Sequence, residues 1–85
     1  MNEIKWTDKA LKQTRKIPKP YQKMILEKVD TLVSFPGASN ADIKKLSGRN
    51  DYRLRAGRYR VIFEHEAEIK IIVIEEVKKR DERTY

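Results

Sequence analysis

Cysteine is missing from this 85-residue chain and histidine occurs once, at His65. A disulfide framework and thiol chemistry are therefore excluded, a structural zinc site has too few soft ligands, and the composition fits a reducing compartment. Long apolar runs are missing too. The longest aliphatic stretch, Ile71 to Ile74, is far too short to span a bilayer, and the opening MNEIKWTDKA has no hydrophobic signal region. A cytoplasmic protein that does not enter the membrane is expected. No internal repeat, low-complexity segment or inter-domain linker interrupts the sequence. A chain of this length buries only roughly 60–65% of its unfolded surface, too little for two cores, so one domain spanning residues 1–85 is expected.

What the chain has in abundance is charge. Charged residues make up 39% of it, as many as the hydrophobic ones, and 20 Lys and Arg against 13 Asp and Glu leave a net charge of +7. Such a field favours a polyanionic partner, whether nucleic acid, a membrane surface or an acidic protein. The stretch around which the chain is organised is Asp51 to Glu64, DYRLRAGRYRVIFE. Gly57-Arg58 suits a two-residue II′ turn, with Gly at the first central position. The resulting hairpin pairs Ala56 with Tyr59, Leu54 with Val61 and Tyr52 with Phe63 on one face, because side chains alternate along a strand. Arg53, Arg55, Arg60 and Ile62 take the other face, with Arg55 opposite Arg60. Like charges facing each other across a strand pair are mildly destabilising. A cluster this dense points to a phosphate-binding surface.

Elements on either side frame that hairpin. Glu3 to Trp6 alternates like a short strand, and Thr7 or Asp8 caps a helix from about Asp8 to Lys16. Pro18 stops it, since the residue before a proline disfavours helix. Pro20 opens a second helix whose apolar stripe is Tyr21, Met24, Ile25, Val29, Leu32 and Val33. Phe35-Pro36-Gly37 ends it, and the two helices form an antiparallel hairpin. Residues 36–50 read as loop around one short turn, with Ile43 and Leu46 returning to the core. His65 to Glu68 makes a turn, which leaves His65 as surface decoration, and Ile69 to Val77 returns as a strand. Ile71 and Val73 fall on one of its faces, Ile72 and Ile74 on the other, which marks an inner strand with Glu3 to Trp6 beside it. The expected fold is α+β, in the order β-α-α-β-β-β: two N-terminal helices packed on one face of a small, mostly antiparallel four-stranded sheet, the other face left basic. A basic tail from Lys78 to Tyr85 leaves the sheet beside that face. Arginines with a nearby tyrosine suit a grip on a nucleic-acid backbone together with stacking on a base.

Lys45-Leu46-Ser47-Gly48, Tyr52-Arg53-Leu54-Arg55, Arg58-Tyr59-Arg60-Val61-Ile62-Phe63, the strand from Ile71 to Val77 and the closing Lys79-Arg80-Asp81 with Tyr85 follow one another in a familiar order. In order and spacing the chain resembles the RelE-like branch of the RelE/ParE superfamily of bacterial toxin–antitoxin toxins. Ala10-Leu11-Lys12 in the first helix extends the likeness over essentially the whole chain. The resemblance implies a ribosome-dependent endoribonuclease that cuts mRNA in the ribosomal A site and is silenced by a cognate acidic antitoxin. It implies a catalytic set of Arg55, Arg60, Arg80 and Tyr85, with Arg53, Lys45, Arg58, Lys78, Lys79 and Arg83 binding RNA, and no metal or cofactor.

In such a cleavage the ribose 2′-OH attacks the neighbouring phosphate, so the site must align it, stabilise a pentavalent phosphorane and manage two protons. Arg60 suits bidentate contact with phosphate oxygens. Under the resemblance, Tyr85 stacks on the base and Arg80 stabilises the leaving 5′-oxygen. Arg55 stands where some relatives carry a lysine; a guanidinium stabilises charge but does not take a proton at neutral pH. Two other functions fit the same residues. One is ParE-like inhibition of DNA gyrase, since fold alone does not decide function. The other is a non-catalytic RNA-binding module with steep salt dependence.

Overall fold

Two helices lie across one face of a five-stranded sheet in the computed structural model, which describes residues 1–37, 42–46 and 50–79. The elements are β1 (Glu3–Trp6), α1 (Asp8–Arg15), α2 (Lys19–Asp30) with a 3₁₀ turn at Thr31–Ser34, β2 (Ile43–Lys45), β3 (Asp51–Ala56), β4 (Tyr59–Glu66) and β5 (Ile71–Lys79). The sheet order is β1-β5-β4-β3-β2, with β1 parallel to β5 and every other pair antiparallel. β5 is thus an inner strand beside β1, as its two apolar faces require. No described helix is long and apolar enough to cross a membrane.

Local chemistry explains the helix ends. The Thr7 hydroxyl accepts from the Ala10 amide at 3.1 Å and caps α1, whose first turn carries Asp8 and whose last turn carries Lys12 and Arg15, matching the helix dipole. Pro18 and Pro20 fix the start of α2, and the Gln22 side chain ties back the linking turn by donating to the Ile17 carbonyl at 2.6 Å. Fully buried Leu54, Val61, Phe63, Ile72 and Ile74 from the sheet meet Ile25, Val29 and Leu32 from the helical layer. Each such side chain contributes about 1.5–3 kcal/mol through burial. Asn2 is also buried. Its Nδ2 donates to the Leu32 and Phe35 carbonyls at 3.0 and 2.7 Å, clamping the start of the chain to the end of the helical layer.

Three expectations need correction. Residues 43–45 are a fifth strand rather than loop, pairing Ile43 with Leu54, Lys44 with Arg53 and Lys45 with Tyr52. Three residues carry too little alternation to announce a strand; the exposed edge of β3 recruits them. Ile43 does pack against the core, whereas Leu46 lies in a cleft beside Asp51 and Ile62. The turn after the hairpin falls later than expected, because β4 continues through His65 and Glu66, in register with Ile72 and Ile71. His65 is therefore half-buried, edge-on to Phe35 at 5.0 Å, instead of decorating a turn. Finally, β5 runs on to Lys79, so Lys78 and Lys79 are strand residues and not tail.

β1 stops opposite Ile74, although β5 extends five residues beyond it. The uncovered backbone is met by side chains. Thr7 Oγ1 donates to the Ile74 and Glu75 carbonyls at 3.0 and 3.2 Å, and Gln13 Oε1 accepts from the Val77 amide at 2.7 Å. These bonds satisfy polar groups that an open strand edge leaves bare.

Candidate nucleic-acid interface

The hairpin has the expected register throughout. Ala56 pairs with Tyr59, Leu54 with Val61 and Tyr52 with Phe63 toward the core, and Arg55 pairs with Arg60 on the far face. Gly57 has φ +60° while Arg58 does not have positive φ, the signature of the expected II′ turn. Paired residues in a sheet share a face, so the far face can be followed rung by rung. One rung reads Arg55, Arg60, Lys78 across β3, β4 and β5. The next reads Lys44, Arg53, Ile62, Glu76 across β2 to β5. Arg53 and Arg60 are half-buried and Arg55 is exposed. Five cations thus share one patch near the hairpin tip.

That face is not basic over its whole length. Asp51 pairs with Glu64 one rung further along, and β5 bulges where Ile62 faces Glu76 but Phe63 faces Ile74, leaving Glu75 as the extra residue. Carboxylate oxygens of Asp51, Glu64 and Glu75 lie within 4.8 Å of one another. None of the three is without a partner. The far face is therefore divided, cationic toward the hairpin tip and anionic toward the other end.

Glu76 stands at the boundary. Lys9 of α1 donates to its Oε1 at 2.5 Å, and Lys78 lies 3.5 Å from the same oxygen. The hydrogen bond from Lys9 above all, then the field of Lys78, holds this carboxyl below its ordinary range against the opposing effect of partial burial. A carboxylate so stabilised accepts protons poorly, and its work here is to anchor Lys78 and join α1 to β5.

The structure brings Arg53, Arg55 and Arg60 together, as the alternation requires, and the bulge at Glu75 adds Lys78 to them by shifting the parity of β5. Arg58 lies in the turn at the end of this patch. Lys45 and Lys79 do not join them. They pair with Tyr52 and Tyr59, so both project to the helix side. The reason is strand parity, which the loop reading of residues 43–45 and the tail reading of 78–79 had hidden. Arg80, Arg83 and Tyr85 lie outside the described residues. Lys44 is the cation that sequence reasoning missed. Once Ile43 is seen to face the core, alternation alone puts Lys44 with Arg53.

Chemically, the patch supplies guanidinium groups in two adjacent rungs of one face, donors of the kind that pair with the oxygens of an anion. A family model described as "ParE toxin of type II toxin-antitoxin system, parDE" matches residues 4–84. Among solved structures, the chain is similar to the archaeal RelE–RelB complex from Pyrococcus horikoshii, with 29% identity, 95% of this chain and 97% of that chain covered, and a TM-score of 0.81. It is also similar in fold to the RelBE2 toxin–antitoxin complex from Mycobacterium tuberculosis (22% identity, 93% and 98% covered, TM-score 0.79). The intact E. coli RelBE complex aligns too (23% identity, 95% and 99% covered, TM-score 0.76). No curated protein sequence matches significantly.

Proposed function

The chain belongs to the ParE toxin family of type II toxin–antitoxin systems, within the RelE/ParE superfamily, and from this premise we propose that it is a ribosome-dependent mRNA endonuclease. Residues 1–85 act as one toxin domain in the cytoplasm. The observation that carries the reading is the rung Arg55, Arg60, Lys78 with Arg53 and Lys44 beside it, which suits a phosphate under attack. In this reading Arg60, central in its rung, holds the non-bridging phosphate oxygens as negative charge builds on them. Arg55 and Arg53 fix the adjacent backbone. The 2′-oxygen bonds to phosphorus, the bond to the 5′-oxygen breaks, and Arg80 and Tyr85 complete the site by steadying the leaving oxygen and the base.

A guanidinium neither takes the 2′-OH proton nor gives one up at neutral pH, so removing that proton and delivering one to the leaving 5′-oxygen both fall to groups of the ribosome–mRNA complex or to water. The partner in the resting state is an antitoxin whose acidic, amphipathic segment orders on binding. The neighbouring structures are themselves toxin–antitoxin complexes.

The test is cleavage of a defined mRNA with and without programmed ribosomes, mapping the 5′ ends. Ribosome-dependent cuts within A-site codons, lost in Arg60→Ala, support the reading; intact mRNA under both conditions sinks it. A second reading is favoured by the matching family model, whose description is a ParE toxin. It makes the chain an inhibitor of DNA gyrase, and a supercoiling assay in which the protein blocks gyrase while leaving mRNA whole selects it.

A further inference from the structure

Away from the far face, an open groove of about 700 Å³ runs between the α1–α2 turn and the ends of β4 and β5. Lys16, Arg58, Lys78 and Lys79 line it together with Tyr21, and no described lining residue is acidic. Tyr21 is 44% exposed, a large ring left in water on a helix start. Its inner side rests on nearly buried Tyr59, ring centroids 5.7 Å apart at 49°, so it has a fixed backing. The turn behind it is stiffened by Pro18, Pro20 and the bond from Gln22 to the Ile17 carbonyl. Lys78 lines this groove and also ends the Arg55–Arg60 rung, so the two cationic surfaces are continuous at the hairpin tip.

We infer that this groove binds a nucleotide of single-stranded RNA beyond the one held on the far face, its base stacked on Tyr21 and its phosphates against Lys16, Arg58 and Lys79. Lys78 is held by Glu76, but Lys16, Arg58 and Lys79 have no acidic residue among the described lining of the groove, and they call for an anion. An exposed aromatic ring with a rigid backing calls for a planar apolar surface. A nucleotide supplies both in one unit. An acidic peptide supplies the charge but leaves the ring with no matching face, unless it places an aromatic there by chance. The proposal rests on the nucleic-acid reading of the far face, and extends it from the reacting phosphate to the strand around it.

The test is fluorescence anisotropy with a labelled single-stranded RNA ten nucleotides long and with its abasic counterpart. Tyr21→Leu, which keeps Tyr59 covered, is expected to weaken binding of the base-bearing strand about tenfold and to leave the abasic strand unchanged. Tyr21→Phe should bind both strands like wild type. Lys16→Ala and Arg58→Ala, at exposed positions, should each lower the slope of log affinity against log salt by about 0.7. Equal losses for both strands in Tyr21→Leu, or no loss for either, overturn the inference. So does a glutamate-rich peptide whose binding falls in Tyr21→Leu while RNA binding does not, which assigns the groove to an acidic protein segment. Cleavage is scored separately. Intact mRNA with Tyr21-dependent binding sinks the endonuclease alone, and ribosome-dependent cutting with Tyr21-independent binding sinks the groove alone.

Discussion

Replacing Arg60 with glutamine is expected to make the protein more stable while loosening its grip on RNA. Arg60 is in register with Arg55 and one rung from Arg53 on the same face. Lys78, its other in-register neighbour, adds little repulsion because its ammonium lies 3.5 Å from Glu76. Two unit charges about 8 Å apart in water repel by about 0.5 kcal/mol, so the two arginine pairs together cost about 1 kcal/mol. Salt screens this, with a Debye length of about 30 Å at 0.01 M and about 3 Å at 1 M, which leaves about 0.8 kcal/mol at the lower salt and about 0.1 at the higher. Glutamine retains part of the aliphatic stem, so the packing of this half-buried residue changes little. Urea denaturation at both salts reads the difference. With a slope near 1 kcal/mol per molar, the midpoint should rise by roughly 0.8 M at 0.01 M salt and hardly move at 1 M. In RNA titrations the same variant should lose about 0.7 from its salt slope. A variant that is destabilised at 0.01 M salt, or whose gain persists at 1 M, would show that the arginines do not repel. This face would then not be one built for an anion.

Three further outcomes follow from other parts of the molecule. Asn2→Ala removes two hydrogen bonds to the Leu32 and Phe35 carbonyls from a buried site, and thermal melting should report a loss of about 1–3 kcal/mol; an unchanged melt means that water replaces the amide at no cost. Gly57→Ala forces a side chain into φ +60°, with its Cβ 2.9 Å from the Met24 Cε, and should cost about 1–2 kcal/mol by urea titration. Glu76→Gln tests pH dependence: the folded carboxyl ionises more readily than the unfolded one, so its contribution is present at neutral pH and fades as the pH falls through the folded value. Wild type should exceed the variant by about 0.5 kcal/mol at pH 7, with the gap closing in acid as the folded carboxyl takes up its proton; a gap that survives once that carboxyl is protonated points to packing rather than charge.

How far the fold could be read in advance depended on how many residues carried each pattern. Six residues on each side of Gly57-Arg58 alternate cleanly, so the hairpin register and the Arg55–Arg60 pair were readable. The apolar run Ile71 to Ile74 similarly placed β5 inside the sheet. Ile43–Lys45 offers one apolar residue and two lysines, and its strand exists because β3 offers an edge, which is a tertiary fact. Lys44 and Lys45 exchanged roles for that reason. The sides taken by Glu76, Lys78 and Lys79 were hidden in another way: a bulge shifts parity by one residue, and nothing in IVIEEV announces where it falls. The groove at Tyr21 escaped because its lining comes from the α1–α2 turn and two strand ends, far apart in the chain.

The pairing of Glu3 with Ile71 sets the order in which this protein can come into being. During synthesis β1, both helices, β2, β3 and β4 all leave the ribosome before β5 does. Until β5 arrives, β1 has no neighbour in the sheet and the inner edge of β4 lies open. Thr7 and Gln13 likewise have no strand backbone to meet. That contact spans the greatest sequence separation of the sheet pairings and so carries the largest loop-closure cost among them. A nascent chain that stops short of Lys78 also lacks the last member of the cationic rung, so the surface able to hold a phosphate is finished only as the final strand docks.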